Sequence, residues 1–242
     1  MPNRQRRWKP AAVVLSLFGT LLLATSVPGA ASAAGRGPSN DLRSSISLDA
    51  ASSAIPTTAR TPVTDSANAT AVLEGQGRKA VATAVATSGC DGCSGTATTF
   101  QTVLVKQGSA AIADNVATAW SSCSSCSSSA VSVQIITGPS ASSVEVNNRS
   151  LALNAGCAAC TTAAVALQFV VIGGSQPELS GTTKALIQQV EQDLGIQLAG
   201  KSLHRDQAQK AADDAGKRAK SAIATDLRPG DVSVRVELKT GN

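Results

Sequence analysis

Six cysteines fall into three C-x-x-C pairs: Cys90-Asp91-Gly92-Cys93, Cys123-Ser124-Ser125-Cys126 and Cys157-Ala158-Ala159-Cys160. The first cysteines of successive pairs lie 33 and 34 residues apart, and no cysteine lies outside the pairs. The residues that follow agree position by position. Counting from the second cysteine, the fourth residue is Ala97, Ala130 or Ala164, and the eighth is Gln101, Gln134 or Gln168. The tenth is Val103, Ile136 or Val170. A fixed period with fixed internal positions marks one structural unit copied along the chain.

Within each unit the apolar period is two. Val165, Leu167, Phe169 and Val171 point one way, and Ala164, Ala166, Gln168 and Val170 the other. The second unit alternates likewise, with Val131, Val133 and Ile135 opposite Ala130, Ser132 and Gln134. That is strand alternation with one large apolar face and one small face. A further short candidate strand precedes each pair (AVATAVAT, NVATAWS, RSLALNA), although its alanines also suit a helix. The reading is strand, C-x-x-C corner, strand, then a return containing Gly, Ser or Asn. Short connections between six such strands predict an α+β fold: an antiparallel β meander built from three repeats, with C-terminal helices and a final strand packed on it.

The stretches NVATAWSSCSSCSSSAVSVQII and NRSLALNAGCAACTTAAVALQFVV carry a family resemblance. They resemble an N-x-A-x-A-x-x-x-C-x-x-C-x-x-x-A-x-x-x-Q-x-V pattern found in a group of actinobacterial exported proteins whose role is unassigned. A similar segment occurs joined to putative peptide zinc metalloproteases. The resemblance covers about residues 80 to 195, and the first repeat departs from it with KAVATAVATSG. It implies export and lends this chain no activity.

The N-terminus supports export independently. Arg4, Arg6, Arg7 and Lys9 make a basic start, Ala11 to Ala24 are mostly apolar, and Ala31-Ser32-Ala33 supplies small residues before a cut at Ala34. The apolar run is shorter than the ~20 residues of a spanning helix. Residues 1-33 are therefore read as a signal peptide, with membrane contact only through it during export. That leader holds four of the 21 basic residues and none of the 16 acidic ones, leaving 17 against 16, a net +1. A nearly neutral remainder with only Phe100, Trp120 and Phe169 as aromatics has no basis for binding nucleic acid.

Residues 34-75 are rich in Ser, Thr, Ala and Pro and read as a flexible segment, with ANATAV (Ala67 to Val72) as a short candidate edge strand. Residues 76-175 hold the three-repeat domain, and 176-242 a helical region ending in a strand. Ser180 caps a helix expected to run to about Leu194 and to end at Gly195. A second helix spans about Ser202 to Leu227 with an alanine face, followed by an Arg228-Pro229-Gly230-Asp231 turn and the alternating Val232, Val234, Val236 and Leu238.

Paired cysteines in an exported chain point to disulfides, so Cys90, Cys93, Cys123, Cys126, Cys157 and Cys160 are the disulfide candidates. Six cysteines allow fifteen pairings, and local bridges are the simplest. Two C-x-x-C knuckles could instead hold zinc. In a meander, however, the corners would recur every second strand, about 10 Å apart at ~4.8 Å per strand. Thiol exchange is the third reading, opposed by the lack of any cation, base or helix N-terminus beside the pairs in sequence. His204 is the lone histidine, which excludes an H-E-x-x-H site, and no G-x-S-x-G elbow or phosphate loop is present. The repeated glutamines read as a hydrogen-bonded ladder. The expectation is a secreted or envelope-associated, disulfide-braced structural or binding module, with no catalysis, no catalytic or metal residues and no cofactor. An exchange protein and a structural zinc protein are the alternatives. Another envelope protein or a second copy is the candidate partner.

Overall fold

A computed structural model describes residues 45–46, 48–173, 178–200, 204–228 and 232–241, all within one compact unit. The leader, its cleavage site and the Pro229-Gly230-Asp231 part of the expected turn lie outside the described residues. The strands are β1 (Ser45–Ile46), β2 (Asp49–Ala54), β3 (Val63–Leu73), β4 (Lys79–Ser88), β5 (Ser94–Val105), β6 (Ala110–Ser121), β7 (Ser127–Gly138), β8 (Ser143–Asn154), β9 (Thr161–Ile172) and β10 (Ser233–Gly241). The helices are α1 (Gly181–Leu198) and α2 (Arg205–Leu227).

The antiparallel meander is wrong. The odd strands β1, β3, β5, β7 and β9 form one sheet, joined at its end by β10, and the even strands β2, β4, β6 and β8 form another. Every pairing is parallel except that of β10 with β9. The chain winds as a β-solenoid: one even strand, a corner, one odd strand and a return make each coil. Period-two alternation tells which face a side chain occupies and not which strand is its neighbour. Here consecutive strands oppose each other across the core, and equivalent strands of successive repeats hydrogen-bond. Identical residues therefore stack in register, Ala97 beside Ala130 beside Ala164 and Gln101 beside Gln134 beside Gln168.

This arrangement explains why the Ser/Thr/Ala/Pro-rich segment contributes β1 to β3 rather than a spacer. The space between the sheets is filled by small side chains, among them Ala54, Ala84, Ala86, Ala117, Ala130 and Ala166. A stretch without large apolar groups meets that requirement, and Ala50, Ser52 and Ala54 are buried there. A coil without cysteines thus precedes the three repeats read from the sequence.

The large apolar face lies outside the solenoid and is covered by the helices. Phe100, Val131, Val133, Ile135, Val165, Leu167, Phe169 and Val171 pack with Ile187, Val190, Leu194, Ile223 and Leu227 in one core. β7, covered on both faces, is buried along its whole length. Ser180 caps α1, its hydroxyl accepting from the Thr183 N–H at 3.2 Å. Gly195 does not end α1, which runs on to Leu198. It marks a close approach: a Cβ there would stand 3.0 Å from Thr98 Cγ2 and 3.3 Å from Thr96 Cγ2. The glycine brings the helix backbone down onto β5.

β10 blunts the C-terminal end of the solenoid. Arg235, Glu237 and Lys239 stand opposite Gln168, Ala166 and Ala164 in register, on the side away from the helices, where they are exposed or half-buried because β8 is the last strand of its sheet. Arg235 Nη1 donates to the Val146 carbonyl at 3.0 Å, and Asn148 Nδ2 donates to the Arg235 carbonyl at 3.2 Å. A charged row in this place discourages another strand from adding to the edge.

Candidate functional site: the stacked cysteine corners

Each C-x-x-C segment turns the chain from the even sheet into the odd one, so the three corners stack in a column at one end of the coils. Main-chain bonds link them: the Gly92 N–H donates to Ser124 O, and the Ser125 N–H to Ala158 O, both at 2.8 Å. The Asp91 carboxylate accepts from the Ser124 N–H at 2.7 Å. The third residue of every pair has positive φ, 70° at Gly92, 55° at Ser125 and 54° at Ala159. Glycine enters that region freely and alanine does not. Ala159→Gly should raise stability by about 1 kcal/mol, read as an increased denaturation midpoint; an unchanged or lower midpoint would show that the corner stores no such strain.

The six cysteines are brought together as three closed pairs, each at bonding distance within its own corner. Their Cα–Cα separations of 5.4, 5.9 and 5.9 Å suit disulfides. Their environments differ. Cys123 and Cys126 are buried, Cys93 is buried with its partner Cys90 half-buried, and both Cys157 and Cys160 are half-buried. Gly156, with φ at 61°, accommodates the residue that makes the last period 34 rather than 33.

Two sequence expectations about this column need correcting. Corners recur once per coil, so they are one strand apart, near ~4.8 Å, rather than about 10 Å. The sulfurs of Cys126, Cys157 and Cys160 accordingly lie within 4.8 Å of one another. Distance therefore does not oppose a thiolate metal site; the bridging of each pair does, because a metal-binding sulfur must be a thiolate. The second correction concerns cations. Cys160 lines a small cavity with Arg205, Ala208, Thr162 and Gly241, which places the start of α2 beside the third pair. Nothing in sequence marked this neighbour, because 45 residues separate it from Cys160 and only the return of α2 over the sheet joins them. His204 is an exposed residue before α2 whose N–H donates to Gln207 Oε1 at 3.1 Å. It touches no cysteine in any hydrogen bond described.

Inside the solenoid the glutamine ladder is present. Gln134 Nε2 donates to Gln101 Oε1, and Gln168 Nε2 to Gln134 Oε1, both at 2.8 Å. Each also donates to a main-chain carbonyl: Gln101 to Leu48, Gln134 to Asp114 and Gln168 to Asn147. The ladder thus satisfies the side-chain amides of Gln101, Gln134 and Gln168 as donors, leaving Gln168 Oε1 without a partner. On the outer face of the even sheet, burial alone would raise the Asp114 carboxyl. Hydrogen bonds from Lys79 and Asn147, with the charges of Lys79 and Arg149, outweigh it and hold the group below its usual range. An open groove of about 1020 Å³ runs between α1 and α2, lined by Thr183, Leu186, Arg218 and Asp226 among others, and includes no cysteine.

Comparison with known proteins finds no matching family model, curated protein or solved structure. No helix among the described residues is long and apolar enough to cross a membrane. Fold and corners together define a class: a parallel β-solenoid whose corners carry stacked cysteine pairs.

Proposed function

We propose that the protein is a secreted, disulfide-braced repeat module that acts at the cell envelope by binding or packing, without catalysis. One observation carries the reading: each cysteine pair closes its own corner at an equivalent place in successive coils. A bridge over so short a loop contributes ~2 kcal/mol by limiting the unfolded chain, less any strain. Three of them brace a solenoid whose interior is mostly alanine and correspondingly thin in buried area. The basic, apolar and small-residue pattern of residues 1-33 supports export, where such bridges persist. For the binding role, the outer face of the even sheet carries Trp120 and Leu153 side by side in register, next to Leu151, at 46%, 50% and 55% exposure. An adjacent apolar row of this kind suits an envelope protein or a second copy as partner.

Protein recovered from the medium should begin at Ala34 and contain three intact bridges, Cys90–Cys93, Cys123–Cys126 and Cys157–Cys160. Terminal sequencing and mass spectrometry before and after reduction, with thiol labelling, test this. Free thiols with bound zinc would favour the metal reading, and an intact leader on membrane-bound protein would remove secretion. Repeated turnover of a test dithiol would replace the structural reading by an exchange enzyme.

A further inference from the structure

The three bridges are not equivalent, and the difference goes beyond bracing. We propose that Cys157–Cys160 is a stoichiometric thiol-exchange site for an external dithiol, and that it passes the exchange inward to Cys126. The inference rests on the bridged reading of the pairs.

Three observations converge on the last corner. It is the one pair in which both residues are half-buried rather than at least one buried. Cys160 shares its cavity with Arg205, an exposed cation at the first turn of α2. Both Cys157 and Cys160 lie within 4.8 Å of Cys126. A positive neighbour favours the thiolate form of a cysteine, and a thiol that leaves easily as thiolate is displaced faster.

The exchange balances as follows. A thiolate of the dithiol attacks Cys157 Sγ, the Cys157–Cys160 bond breaks, and Cys160 leaves as a thiolate beside Arg205. The second thiol of the dithiol, deprotonated, attacks its partner sulfur in the mixed disulfide and releases Cys157. The dithiol departs as a disulfide, having given up two electrons and two protons, and the pair is reduced. Cys160 thiolate then attacks Cys126 Sγ, forming Cys126–Cys160 and expelling Cys123 as a thiolate that takes a proton from solvent. This second step moves a bond between coils with no net oxidation. Both sulfurs of the third pair lie 2.7 and 2.8 Å from the Cys123 carbonyl oxygen. Once reduced, the sulfur that remains a thiol has an acceptor there.

Trypsin makes the test direct, because Lys79, Lys106, Arg149 and Lys184 place each pair on a separate peptide. The full oxidised protein is treated briefly with one equivalent of dithiothreitol, alkylated and digested. Cys157, together with Cys160 in molecules trapped before the transfer, should be labelled at least about fivefold more than Cys90 and Cys93. A cross-linked peptide joining Cys126 to Cys160, with Cys123 and Cys157 labelled, should follow. Arg205→Gln should slow reduction of the third pair about fivefold, as expected for a neighbouring charge, leaving the other pairs and the melting temperature unchanged. Equal labelling of all pairs, or first labelling of Cys90 and Cys93, overturns the proposal. Absence of any peptide cross-linked to Cys126 overturns the inward transfer, and an unchanged rate in the arginine variant overturns the part given to Arg205. Free thiols in untreated protein would instead defeat the bridged reading itself.

Discussion

Gln134→Leu is expected to lower the stability of the protein by about 3–5 kcal/mol, as two to three buried polar groups lose a partner at about 1–3 kcal/mol each. Gln134 is fully buried and stands in the middle of the ladder. Its amide donates to Gln101 Oε1 and to the Asp114 carbonyl, and its carbonyl accepts from Gln168. Leucine has nearly the same volume, so the loss is not a cavity. It is the enclosure of several polar groups whose partner has gone, in a space that admits no water to replace it. Each costs about 1–3 kcal/mol when left unmade, with partial relief where Gln168 still donates to Asn147 O. Gln168→Leu provides the comparison. Gln168 Oε1 has no hydrogen-bond partner, so fewer bonds are lost and one orphaned acceptor disappears with the side chain. Chemical denaturation of both variants should show a clearly smaller loss at 168. An equal or larger loss there would mean that the ladder does not carry the stability assigned to it.

The ladder was legible before the structure was known, because three glutamines at one repeat position on a face of small residues have few other roles. The cover was legible too: an apolar face of valines, leucine and phenylalanine needs one, and the helical pattern after Ser180 supplies it. Sheet topology was not legible. Val165, Leu167 and Phe169 alternate with Ala164, Ala166 and Gln168 equally well in a meander and in a solenoid. What distinguishes the two is whether repeat n hydrogen-bonds to repeat n + 1, and alternation is silent on that. The in-register recurrence of Ala and Gln was the available signal, since only stacked equivalent strands turn like positions into ladders. The first coil escaped notice, apart from Ala67 to Val72 in β3, for a related reason. Alanine- and serine-rich sequence reads as too weak to fold, yet it is what the narrow space between two sheets accepts. At the cysteine column the same topology halves the distance between corners, and the path of α2 brings Arg205 to a pair that looks isolated in sequence.

Glu191→Gln is expected to stabilise the protein, and to do so more at pH 8 than at pH 4. Glu191 lies on α1 at 2% exposure, and its Oε1 has no hydrogen-bond partner. Burial pushes its carboxyl well above the usual range, because an ionised carboxylate in that layer loses its hydration. Below the ordinary pKa of 4.5 the group is protonated in both folded and unfolded chains, and ionisation contributes nothing. As pH rises through that value, the unfolded chain releases the proton while the folded chain keeps it. The unfolded chain then binds fewer protons, so stability falls with pH until the folded group also ionises. Glutamine keeps the shape and cannot ionise, so it removes that slope. Thermal melts of both proteins at several pH values between 4 and 8 should diverge upward with pH, the variant melting higher. Parallel curves would show that Glu191 meets solvent or a cation when ionised, and that α1 does not seal it against the sheet.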